Sequence, residues 1–166
     1  LARGVALYEQ GKQSESEKDF REALKYDTFG KELARLNLAL IDLNSNEVSR
    51  ARKALEDMVR MYPNFSDPHY HLSFLDFESG NYRAALKHID KAIELETTAD
   101  YHKARARILE KMPGQRAALE KTYRSLLQDF PGLPEEDRKE VRLKLSRLSS
   151  GEARTLSPME MPAVDP

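Results

Sequence analysis

The sequence predicts an all-α solenoid of tandem helix pairs, and three observations carry that reading. A large apolar residue recurs at Phe20, Leu55, Ile89 and Tyr123, at separations of 35, 34 and 34. A small or apolar position keeps the same ruler at Ala23, Met58, Ala92 and Leu126, and so does a turn residue at Gly11, Asn46, Gly80 and Gly114. Within each phrase the apolar spacing is helical: residues 20, 23 and 24, and again 85, 89, 92 and 93, fall on one face of an α-helix. A fixed period of this length marks stacked units, because one helix pair cannot bury its apolar face alone.

Each unit reads as helix, Gly or Asn turn, helix, then a Pro or Thr break. The first, residues 1–29, starts inside its first helix and keeps Gly4, Leu7, Gly11, Phe20 and Ala23. The second, 30–64, carries Leu38-Ala39, Asn46, Val48, Ala51, Leu55, Met58 and Pro63. The third, 65–98, is the most regular, with Leu72-Ser73, Gly80-Asn81-Tyr82, Ala85, Ile89, Ala92 and Leu95. The fourth, 99–131, keeps Ala106, Gly114, Tyr123, Leu126 and Pro131 but has Arg107 where a small residue is expected. Residues 132–150 predict a capping helix. Pro134, Glu135, Glu136 and Asp137 suit a first turn, and Val141, Leu145 and Leu148 form a stripe among Arg138, Lys139, Arg142, Lys144 and Arg147. Gly151 is a stop, and residues 151–166, with Pro158, Pro162 and Pro166, read as a disordered tail.

These columns resemble the tetratricopeptide repeat over residues 1–131. The resemblance implies a right-handed superhelix whose first helices line a concave groove that holds a protein partner. The family's contact positions, carried onto this chain, fall in the second unit on Leu33, Leu36, Asn37, Leu40, Leu43 and Asn44. In the third they are Asp67, Tyr70, His71, Phe74, Phe77 and Glu78. In the fourth they are Tyr101, Ala104, Arg105, Ile108, Lys111 and Met112, and in the truncated first Val5, Tyr8 and Glu9. The resulting candidate site is apolar and aromatic: Leu36, Leu40, Tyr70, Phe74, Phe77, Tyr101 and Ile108, with Asn37, Asn44, His71 and Arg105 as a polar rim. It lacks the basic residues with which relatives clamp chaperone C-termini; Leu36 and Leu40, or Leu1 and Val5, stand at those places. An amphipathic helix or extended apolar segment is the expected ligand. A competing register turns the first helices by one residue. Leu36, Leu40, Leu43, Tyr70, Phe74 and Phe77 then become core, and Asp42, Asp76 and Glu110, spaced by 34 and 34, form a surface row. The same acids equally suit charge partners for Arg35, Arg105 or Arg107 inside the stack.

Composition narrows the function classes. The chain has 166 residues, 33% charged and 40% apolar, with 27 basic and 28 acidic residues, a net charge of -1. That balance opposes nucleic-acid binding, which favours a basic excess. There is no Cys, so disulfides and thiol chemistry are out, and no apolar run is long enough to span a bilayer. His69 and His71, two apart, point to different helix faces and make no chelate. His88 lies among charged neighbours and His102 at a helix start. No metal, cofactor or catalytic constellation is expected. The expected role is a non-catalytic scaffold for a protein or peptide partner, with self-association through the groove or through the tail residues Leu156, Met159, Met161 and Val164 as a further option. The first residue is Leu1 rather than Met, so the chain reads as an excised or processed piece. Three other readings stay open: the repeat domain of a membrane-tethered assembly or export factor, an RNA-binding helical repeat, and the regulatory arm of an enzyme.

Overall fold

Every regular element among the described residues is an α-helix. The computed structural model describes residues 1–26 and 30–150. Its helices are α1 (Ala2–Glu9), α2 (Gln13–Lys25), α3 (Lys31–Asn44), α4 (Val48–Met61), α5 (Ser66–Glu78), α6 (Tyr82–Leu95), α7 (Ala99–Glu110), α8 (Arg116–Gln128) and α9 (Glu135–Ser150). The readings for residues 151–166 lie outside the described residues.

The chain divides into two compact units, one of residues Leu1–Leu72 and one beginning at Ser73. In the first, α1 packs on α2, α2 on α3 and α3 on α4. In the second, α6 packs on α7, α7 on α8 and α8 on α9. The expected ruler is the core. Phe20, Leu55, Ile89 and Tyr123 are completely buried, as are Ser16, Ala51 and Ala85, each four residues earlier, while Leu119 before Tyr123 is nearly so. Small residues at these places let two helices approach closely. Gly4 gives the measure: a Cβ there would lie 2.8 Å from Cε1 of the sealed Phe20 ring.

The turn column adopts the left-handed conformation throughout, with φ of +73° at Gly11, +61° at Asn46, +77° at Gly80 and +84° at Gly114. Three of these turns close alike. The next residue's N–H reaches back five places, from Lys12 to Leu7 (2.9 Å), Glu47 to Asp42 (2.8 Å) and Asn81 to Asp76 (2.8 Å). Paired with the bonds from Gly11 to Tyr8, Asn46 to Leu43 and Gly80 to Phe77, this satisfies the free carbonyls of each first helix. In the fourth unit Pro113 precedes Gly114, and Gln115 bonds only as far back as Met112 (3.4 Å).

Around α9, Ala106, Leu109, Leu119, Tyr123, Leu126, Leu133, Val141 and Leu148 form one cluster. Polar contacts fasten the same helix. Lys103 pairs with Asp137 at 2.5 Å, Arg116 donates to the Leu148 carbonyl, and Arg138 donates to the carbonyls of Phe130 and Leu127, both at 3.2 Å.

Candidate functional site

In the first unit the apolar candidates turn inward. Leu36, Leu40 and Tyr70 are buried. Asn37 is half-buried and donates to the Leu33 carbonyl one turn earlier, at 2.8 Å. Asn44 is exposed and donates to the Tyr8 hydroxyl at 2.6 Å. This bond ties α3 to α1, where burial pushes the Tyr8 phenol up to about 12. His71 is buried rather than on a rim, and its ring meets Tyr70 edge-on at 5.2 Å. Its Nδ1 is sealed from solvent and has no hydrogen-bond partner among the described residues. Burial holds it down to about 4, so it is neutral at pH 7.

In the second unit Phe77, Tyr101 and Ile108 are buried and Phe74 is half-buried. Phe77 packs on Tyr82 with ring centroids 5.5 Å apart. Arg107, the residue where a small one was expected, lays its guanidinium 4.7 Å from the Phe77 ring centroid. The large residue is thus accommodated by a cation–π contact. Arg105 is not a free rim cation. It pairs with Asp90 of α6 at 2.6 Å and donates to the Thr122 hydroxyl and Ala118 carbonyl of α8.

The acid column departs from the surface row that the turned register would give. Asp42 and Asp76 are buried, and the Glu110 side chain is 3% exposed. Their partners are also not those expected. Asp42 pairs with Arg50, Asp76 faces His88 at 3.8 Å, and Glu110 takes Lys144 at 2.9 Å and the Tyr123 hydroxyl. Burial and the Glu110 carboxylate both push the Tyr123 phenol up. Lys144 is legible in principle, since 42, 76, 110 and 144 share the ruler, but its opposite charge hides it in a column of acids.

Two surface troughs lie at comparable places, each between two second helices and the first helix that separates them. One, about 370 Å³, is lined from α2, α3 and α4 by Leu24, Arg35, Leu38, Ala54, Asp57, Met58 and Met61. The other, about 340 Å³, is lined from α6, α7 and α8 by Asp90, Ile93, Glu94, His102, Arg105, Lys121, Thr122 and Ser125. Among the described residues no group of three His, Asp or Glu side chains is placed to hold a metal ion. No described helix is long and apolar enough to cross a membrane.

A family model for the tetratricopeptide repeat matches residues 43–108, from the end of α3 through most of α7. Residues 43–108 are thus similar to tetratricopeptide repeat sequence. A tetratricopeptide repeat protein from Parabacteroides merdae ATCC 43184 is similar in structure, with a TM-score of 0.62 at 23% identity over 91% of this chain. The match takes in 58% of that protein, so this chain spans well under two thirds of its length. No curated protein matches the chain. Tetratricopeptide repeats in general are protein–protein interaction modules. The matched stretch contains the repeat columns Ala51, Leu55, Met58, Ala85, Ile89 and Ala92, all buried between helices.

Proposed function

We propose that this chain is a non-catalytic scaffold that holds a partner helix or apolar peptide segment against the first helices of its repeats. The match of residues 43–108 to the tetratricopeptide repeat carries the reading. The division of labour among the candidate residues follows from burial. Leu36, Leu40, Tyr70, Phe77, Tyr101 and Ile108 stiffen the first helices from beneath. Phe74, only half-buried, is an aromatic of the second compact unit left to meet a partner, and Asn37 and Asn44 are polar contacts offered by the first.

The test compares two phenylalanines. Phe74→Ala should abolish capture of the partner from native lysate while thermal melting changes little. Phe77→Ala should instead cost about 3–5 kcal/mol of stability. Capture undiminished by Phe74→Ala would remove the first-helix face from the mechanism.

A further inference from the structure

The two troughs differ in a way that the repeat ruler does not require. In the trough between α6, α7 and α8 the cation belongs to the fold: Arg105 spends its fork on Asp90, Thr122 and Ala118. Its lining includes Glu94, Lys121 and Ser125. In the trough between α2, α3 and α4 the walls are Leu24, Leu38, Ala54, Met58 and Met61. Its cation, Arg35, is two residues out of register with Arg105 and forms no ion pair among the described residues. Its Nε is sealed from solvent with no hydrogen-bond partner there. The acid of the same trough, Asp57, is engaged by Arg60.

A guanidinium held against apolar walls without a carboxylate is poorly solvated. It gains more from an incoming anion than a guanidinium in open water does. The remaining wall chemistry asks for an apolar side chain, and the exposed Met61 can reshape around it. Met61 is 46% exposed at the lip. A volume of about 370 Å³ suits one or two side chains rather than a whole helix, being near the low end of ligand pockets.

We infer that the α2–α3–α4 trough is a peptide-docking site that takes a leucine-like side chain together with an adjacent aspartate or glutamate, whose carboxylate pairs with Arg35. The inference rests on the scaffold reading above and adds a second contact surface with its own charge preference.

The probes are two synthetic peptides, acetyl-Gly-Leu-Glu-Leu-Gly-amide and acetyl-Gly-Leu-Gln-Leu-Gly-amide. They are titrated into the full chain and followed by the methyl resonances of Met58 and Met61. The glutamate peptide should shift both methyls and bind at least tenfold more tightly than the glutamine peptide. Arg35→Met should bring the two peptides to equal affinity with an unchanged melt, and Arg35→Lys should restore part of the preference. Absence of shifts at these methyls, or a glutamate preference that survives in Arg35→Met, would overturn the assignment. Phe74 lies outside this trough, so the outcome is separable. If Phe74→Ala fails to affect partner capture while the trough still discriminates, only the first-helix reading falls. If capture depends on Phe74 and the trough ignores the peptides, only this one does.

Discussion

His71 shows most directly what a single position contributes. Its counterparts on the 34-residue ruler are Asn37 and Arg105, each of which finds polar company. His71 is instead sealed against Tyr70, and burial lowers it from 6.5 to about 4. Above pH 6.5 the site is neutral whether the chain is folded or not. Between 6.5 and about 4 the unfolded chain takes up a proton that the folded chain refuses, so stability falls with pH across that window and levels off below it. Each pH unit is worth about 1.4 kcal/mol, so about 3 kcal/mol is lost by pH 4. His102, also lowered by burial, adds in the same direction. His71→Asn should flatten the fall in melting temperature between pH 6.5 and 5, where ordinary carboxylates have scarcely begun to titrate; an unchanged slope would mean the histidine is accessible. The fully buried residues were legible in the sequence, since Phe20, Leu55, Ile89 and Tyr123 announce themselves by period. The inward turn of His71 was not, because a polar residue in a contact column reads as a rim group until the neighbouring helices are in place.

At the scale of elements, α9 is where the sequence reading and the structure teach different things. The stripe of Val141, Leu145 and Leu148 marks a helix, and that helix packs on α8. What the stripe concealed is that α9 keeps the register of the first helices. Ala39, Ser73, Arg107 and Val141 are spaced by 34, as are Ile41, Leu75, Leu109 and Leu143. In the second series the first three residues are buried and Leu143 is 50% exposed. Residue type changed along the columns while geometry did not, and composition alone could not expose that. The acid column makes the same point energetically. Lys144 and Glu110, with side chains 6% and 3% exposed, hold α9 to α7 through a buried ion pair. Lys144→Met removes the cation facing Glu110 and should cost about 3–5 kcal/mol, because a desolvated carboxylate loses its compensation. Adding Glu110→Leu to that variant should recover most of the loss. Urea melts of the single and double variants measure this, and a neutral single variant would show that the pair does not anchor α9.

For the whole molecule, the repeat logic predicts that an end must be covered. Deleting residues 133–148 uncovers Leu119, Tyr123 and Leu126, which now share a cluster with Val141 and Leu148. The shortened chain should melt lower and aggregate, as repeat arrays do when a terminal apolar face meets water. An unchanged melt and a monodisperse profile by light scattering would refute the covering role. The order of the packed pairs has one more consequence, for how fast the chain finds its fold. The pairs α1 with α2, α2 with α3, α3 with α4, and likewise α6 through α9, are all neighbours along the chain. Bringing any such pair together closes only a short loop, and the entropy of that closure is small. Pairings this local favour rapid assembly of these helix pairs, as in low-contact-order folders.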